Sequence, residues 1–298
     1  MRVFVTGATG FIGSAIVQEL IRAGHKVLGL ARTDAAADAL RRAGVDLHRG
    51  DLSDADSLMA GARSCDGVIH TAFIHDFSNI TAAGTTDRLA IEALGKALQN
   101  SDKPLVVASG VAHLKPGEIG TENDAPDPHT SASHRIASEV STLALAQRGV
   151  RASVLRLPPS VHGVGDHGFV PALIRVAREK GESAYVGDGL NRWPAVHRLD
   201  AALVFKLALE RGLAGARYHG VAEQGVPARD IAAVIGRRLQ VPVVSKTRAQ
   251  IPEHFGWIGH FFAIDCPASS LLTQQALGWQ ALQPGLLADL DNPRYFDA

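Results

Sequence analysis

A doubly wound parallel α/β sheet followed by a smaller C-terminal lobe is the architecture this sequence predicts, and three observations carry it. A strand-like run, Met1-Arg2-Val3-Phe4-Val5, passes straight into Thr6-Gly7-Ala8-Thr9-Gly10-Phe11-Ile12-Gly13. Short apolar runs then alternate with amphipathic stretches as far as Leu157. Beyond Leu157 that regularity gives way to loops rich in Gly, Pro and His. Short apolar strands joined by helical crossovers are what a sheet covered on both faces requires.

In chain order, Phe11 to Ala23 keeps Ile12, Ile16, Leu20 and Ala23 on one helical face, and Lys26 to Ala31 reads as a buried second strand. A strand at Val45 to Arg49, a helix at Ala55 to Ala62, a strand at Gly67 to Ala72 and a helix at Thr81 to Gln99 follow. Pro104 to Ser109 (strand), Ser131 to Gln147 (helix) and Ala152 to Leu157 (strand) complete a Rossmann-type order. We divide the chain at 1–165, a dinucleotide-binding domain, and 166–298, mainly a substrate lobe whose late elements return to the core. The lobe's helices are expected at Val170 to Lys180, Ala201 to Arg211 and Pro227 to Leu239. Ligands of open sheets sit beyond the carboxyl ends of the strands, so the loops after Val5, Ala72, Ser109 and Leu157 are predicted to converge.

The first of those loops has the chemistry of a dinucleotide site. Gly7 permits a positive φ where the strand turns, Gly10 has no side chain to hold a diphosphate off the backbone, and Gly13 lets the helix lie close on its strand. Unpaired N–H groups and the positive end of the helix dipole then face the phosphates, with Thr9, Phe11 and Ile12 in the same turn.

Composition bounds the partners. The 298 residues carry 30 basic and 30 acidic side chains, so no net field recruits nucleic acid or a membrane surface, and a small-molecule substrate is expected. The two cysteines, Cys65 and Cys266, are too few for a disulfide framework. With no signal-peptide pattern and no apolar run of about 20 residues, a cytoplasmic protein is expected.

The end of the second strand reads Leu30-Ala31-Arg32-Thr33, without the carboxylate that typically bonds the adenosine ribose of NAD(H). Arg32 offers a planar fork suited to a 2′-phosphate, so NADP(H) is favoured over NAD(H).

The glycine motif, Asp51-Leu52, His70-Thr71-Ala72 and Arg156-Leu157-Pro158-Pro159-Ser160-Val161-His162-Gly163 together resemble the short-chain dehydrogenase/reductase superfamily, in its extended, epimerase/dehydratase-like branch. Gly187-Asp188-Gly189 and Trp193 to Asp200 are similar to a segment carrying substrate contacts there. The resemblance implies that Asp51 and Leu52 flank the adenine and that Thr71, Ala72 and Phe73 line the ribose and nicotinamide path. Pro158, Pro159 and Ser160 then give main-chain contacts near the carboxamide. It also implies a homodimer, often formed through paired helices.

Members generally carry Tyr-x-x-x-Lys after the fifth strand. Aligned on Ser133-His134-Arg135-Ile136-Ala137-Ser138-Glu139, this chain has Arg135 in the lysine position and Ser131 in the tyrosine position, so it is similar to the atypical subgroups, some with His-x-x-x-Arg. Arg135 can donate to ribose hydroxyls and hold charge near a developing oxyanion, but it stays protonated and cannot be the proton donor. Ser131 is a weak acid without a partner base.

Histidine, titrating near ~6.5, is the natural replacement. His75, followed by Asp76, is the first candidate. His113 is the second, past Ser109 and Gly110, where members carry the hydroxyl that bonds the substrate oxygen. His134 is a third. A metal on His70, His75, Asp76 and His113 competes for these residues, but no compact ligand motif such as His-Glu-x-x-His appears and no metal is expected. Trp193, Tyr185, Phe169 and the run Phe255 to Phe262 supply either an apolar substrate pocket or lobe core. The function these features imply is hydride transfer between NADP(H) and a small, hydrophobic carbonyl or alcohol. The alternatives are a nucleotide-sugar epimerase or dehydratase, and a non-catalytic NADP(H) sensor.

Overall fold

Along Arg2–Thr6 (β1), Val3 and Val5 point into one buried cluster and Phe4 into another, the period-two alternation of a strand covered on both faces. The computed structural model describes residues 1–76, 79–130 and 133–297. After β1 come Phe11–Arg22 (α1), Lys26–Ala31 (β2), Asp34–Arg42 (α2), Asp46–Arg49 (β3), Ala55–Arg63 (α3), Gly67–His70 (β4) and Ile80–Leu98 (α4). Pro104–Gly110 (β5), Ile136–Ala144 (α5) and Arg151–Leu157 (β6) complete the first half.

The second half holds Ser160–His162 (β7), Phe169–Lys180 (α6), Ser183–Val186 (β8), Arg192–His197 (β9), Arg198–Arg211 (α7) and Arg217–His219 (β10). Glu223–Pro227 (β11), Ala228–Leu239 (α8) and Val243–Lys246 (β12) follow, then short helices at Ile251–Phe255 (α9), Ile258–Phe262 (α10), Leu271–Leu277 (α11) and Leu286–Leu290 (α12).

Seven strands form one parallel sheet in the order β10-β6-β5-β4-β1-β2-β3. The order reverses between β1 and β4, so the crevice for a ligand opens beyond Thr6 and His70. Ile16 and Leu20 of α1 and Val204 and Phe205 of α7 cover one face with Val3 and Val5. Leu58, Ile91, Leu94 and Leu145 cover the other with Phe4. The lobe has a three-stranded sheet β11-β9-β7, a two-stranded β12-β8 and its own core around Trp193, Ile231 and Phe262.

Two sequence expectations shift. The helix expected over Ser131 to Gln147 is α-helical only at Ile136–Ala144; Ser133–Arg135 is a 3₁₀ turn, Leu145–Arg148 another, and Ser131 lies outside the described residues. Arg135 consequently occupies the cap of α5 rather than its interior, and the expected pairing of His134 with Ser131 lies outside the described residues. The fourth strand stops at His70, because Thr71 turns its hydroxyl onto the Thr6 carbonyl at 2.8 Å. Among the described residues no helix is long and apolar enough to cross a membrane.

Candidate active site

Gly7 turns the chain at φ 71°, and a β-carbon there would meet the Ala72 nitrogen at 2.8 Å. One on Gly13 would stand 1.9 Å from the Gly7 carbonyl oxygen, so the first turn of α1 rests directly on the glycine turn. Gly10 caps α1 without a side-chain hydrogen bond, leaving the helix's first amides for a ligand. A bare helix end behind two glycines that admit no side chain fits a dinucleotide's diphosphate.

Around this turn opens a cleft of about 1010 Å³. It takes in Gly7, Thr9, Gly10, Phe11, Ile12 and Gly13, then Arg32, Asp51 and Leu52, then Thr71, Ala72, Phe73 and His75. Ser109, His113, Arg135, Pro158 and Ser160 complete the set, so the expected cofactor residues and the first two histidine candidates line one cavity.

At one end Arg32 is well exposed and its Nη1 lies 3.8 Å from Asp51 Oδ2. Hydrogen bonds from the backbone and hydroxyl of Ser53 hold the Asp51 carboxyl below the usual range, with a smaller contribution from Arg32. A cation and a carboxylate, both expected on the adenosine side of the cofactor, therefore stand together.

At the other end Arg135 is tied from three sides. Nη1 lies 3.3 Å from Asp87 Oδ2, Nη2 donates to the Ala108 carbonyl, and the guanidinium stacks 4.3 Å over the Phe73 ring. Asp87 is fully buried on α4, and its Oδ1 lies 3.1 Å from His70 Nε2. His70 Nδ1 is in turn 2.8 Å from Thr6 Oγ1, which accepts from the Ala72 amide at 3.4 Å. The Asp87 carboxylate can only accept, so the His70 proton that faces it is on Nε2. Burial pushes the Asp87 carboxyl up, but Arg135 and His70 outweigh it and hold it below the usual range. His70 is thus committed to Thr6 and Asp87 rather than to the His75 loop. Asp87 escaped the sequence reading although it left a signal: a carboxylate between Ala83 and Ala90 on the buried face of α4 needs a partner.

A second buried network lies behind Ser109. Glu139 of α5 takes Arg156 in a two-point contact, with Nε donating to Oε2 at 3.1 Å and Nη2 to Oε1. Arg217 Nε also donates to Oε1, at 3.0 Å. His113 Nε2 stands 3.1 Å from Glu139 Oε2, and the Ser109 hydroxyl donates to the same oxygen at 3.4 Å. Burial pushes Glu139 up, yet His113 and Arg156 hold it well below the carboxylate range; burial dominates at His113 and lowers it. His113 is 1% exposed, so it belongs to this network more than to the open cleft.

His75 stands at the cleft's rim, edge-on to Phe73 with centroids 5.3 Å apart. Its surface is exposed, but the concave walls and the Arg135 charge lower its pKa. Opposite, the loop between β7 and α6 brings His167 onto Phe11, with centroids 5.8 Å apart, and Asp166, whose burial pushes its carboxyl up to about 6. Asp166 was missed, since Asp among glycines reads as a turn; its Oδ1 accepts from the Gly168 amide at 2.7 Å. Of the expected aromatic pocket, Phe169, Trp257 and Phe261 reach the cleft. Trp193 is instead fully buried in lobe core, and Tyr185 lies away from the cleft's lining.

A glycine turn at the switch point of a seven-stranded parallel sheet, with a basic residue beyond the fifth strand, defines a dinucleotide-binding oxidoreductase fold of short-chain dehydrogenase/reductase type. The chain belongs to the NAD dependent epimerase/dehydratase family, whose profile matches residues 3–220. It is 52% identical to the uncharacterised Schizosaccharomyces pombe protein C2A9.02 over 298 residues, 99% of this chain and 100% of that one. A 2-alkyl-3-oxoalkanoate reductase of Stenotrophomonas maltophilia is 28% identical over 234 residues, 74% of this chain and 69% of that protein. The UDP-glucose 4-epimerase of Thermus thermophilus, solved with NAD, superposes with a TM-score of 0.79 at 21% identity, covering 100% of both chains. Fold and family together make this an NAD(P)-dependent enzyme of oxidoreductase/epimerase type.

Proposed function

We propose that the protein is an atypical short-chain oxidoreductase that moves hydride between NADP(H) and a small apolar carbonyl or alcohol. The wall of the cleft carries this reading. The lobe contributes Phe169, Val170, Trp257 and Phe261 to it, and among the described lining residues the only arginines or lysines are Arg32 and Arg135. A nucleotide sugar brings a second diphosphate, whose desolvation needs counter-charge, and the described lobe residues lining the cleft include no arginine or lysine. An aromatic wall accepts an apolar substrate directly. The relative named as an oxoalkanoate reductase supports carbonyl chemistry.

The α1 amides and the glycine turn hold the diphosphate, Arg32 the 2′-phosphate, and Thr71, Ala72 and Phe73 the path toward the nicotinamide. When bound, the nicotinamide supplies or accepts a hydride. Arg135 donates hydrogen bonds to ribose hydroxyls and to the substrate oxygen as charge builds there. His75, protonated, gives that oxygen its proton in reduction and removes it in oxidation. His113 holds Glu139 against Arg156 and moves no proton.

Calorimetric titration with NADPH and with NADH tests the cofactor assignment. Tight NADPH binding and weak NADH binding is the expected result; equal affinity overturns the role of Arg32, and binding of neither overturns the function. Turnover of a UDP-glucose or dTDP-glucose substrate without net NADPH consumption overturns it in favour of epimerisation or dehydration.

A further inference from the structure

We infer that Asp87, which touches no ligand, sets the substrate charge this site accepts, by cancelling Arg135 so that the cleft selects an uncharged carbonyl over one bearing a carboxylate. The inference rests on the proposed carbonyl chemistry of the cleft and adds to it a rule of discrimination.

Arg135 is the only arginine or lysine at the reacting end among the described lining residues. Alone, it would be an anion site, since a guanidinium fork matches a carboxylate in two-point geometry. It is not alone. Asp87 lies 3.3 Å away, fully buried, so the pair meets in low dielectric, where a charge is felt strongly and water screens little. The carboxyl is held in that position by its second oxygen on His70, and His70 by Thr6, so it cannot swing aside to leave Arg135 unbalanced. Asp76 and Asp166 also line the cleft, while His75 is held toward its neutral form. Arg135, paired with Asp87, therefore presents no net positive charge of its own to a substrate, although its donors remain. Arg135 has five N–H groups, and the contacts with Asp87 and Ala108 leave others for a neutral oxygen. A carboxylate entering beside this pair would lose its hydration without gaining a net counter-charge. The relative named for an oxoalkanoate works on a carboxylate by its name; this chain, on the present inference, does not.

The test uses benzoate and benzamide, of nearly the same shape with and without charge, titrated into NADPH-loaded protein and followed by NADPH fluorescence. The intact protein is expected to bind benzamide at least as well as benzoate, and Asp87→Asn, which unmasks Arg135, to shift the ratio toward benzoate about tenfold or more. No shift in folded Asp87→Asn overturns the inference, as does a tenfold benzoate preference in the unsubstituted protein. Should Asp87→Asn not fold, the double variant Asp87→Leu/Arg135→Met removes both charges. Its ratio is expected to match that of the unsubstituted protein, and a swing toward benzamide overturns the inference. Failure to bind NADPH at all overturns the carbonyl reading itself, whereas NADPH binding with a benzoate preference overturns only the charge rule.

Discussion

Arg135 stacks on Phe73 and His75 meets the same ring from its edge, so a single aromatic side chain positions both the proposed oxyanion partner and the proposed proton carrier. Replacing His75 with Gln is expected to lower turnover by about 10²- to 10⁴-fold while leaving NADPH affinity unchanged, with stopped-flow absorbance as the check. Because burial and Arg135 lower the His75 pKa, the imidazolium needed for reduction becomes scarce as pH rises through a value below 6.5. Carbonyl reduction should therefore accelerate toward acid, and alcohol oxidation, which uses the neutral ring, should reach its plateau by neutral pH. A reduction rate that climbs with pH contradicts the assignment. Arg32→Ala is expected to weaken NADPH by about 10- to 100-fold and NADH little, because only the 2′-phosphate contact is lost. Arg32 and His75 were legible since each lies within a few positions of a strand end, whereas Arg135 was legible only through the family resemblance. Asp87 and Arg135 stand far apart in sequence, and nothing local joins a carboxylate on one helix to the cap of another.

The strand, glycine turn and α1 form the element on which the cofactor assignment stands, and their pattern is local enough to be read directly from residues 1–23. Gly13→Ala puts a methyl 1.9 Å from the Gly7 oxygen, a contact that only displacement of α1 relieves. NADPH affinity in that variant should fall by at least about 100-fold, with a clear loss of thermal stability, whereas an unaltered binding isotherm would show that the diphosphate sits elsewhere. The α5 region read less faithfully. Its helix covers only Ile136–Ala144, between two 3₁₀ turns, and carries Glu139 onto Arg156 and Arg217 of two neighbouring strands. Glu139→Gln is expected to cost on the order of 3–5 kcal/mol in urea denaturation, because it leaves the buried Arg156 without its counter-charge.

At the scale of the whole molecule, buried titratable groups couple stability to acidity. His219 is pushed down to about 4 by burial, so between that value and 6.5 the unfolded chain binds the extra proton and the folded one does not. Its contribution is complete above 6.5 and shrinks as pH falls toward 4; Glu139, also depressed, loses its share only below the ordinary carboxylate range near 4.5. The melting temperature should accordingly begin to drop below pH 6.5, well before carboxylates titrate, and His219→Gln should flatten that first phase. The sequence could not disclose this, since His219 reaches Arg156, Ser269 and Thr273 only after the chain has folded back on itself.

That folding back has a consequence for how the enzyme can be altered. β10, drawn from between lobe elements, zips onto β6 at the edge of the main sheet, and α7 lies across α1 before the chain returns to the lobe as β11. The two regions are laced rather than strung in series, so no single cut releases the lobe as an exchangeable cassette. New specificity has to be written in place, one side chain at a time along Phe169, Trp257 and Phe261, with the glycine turn left as it stands.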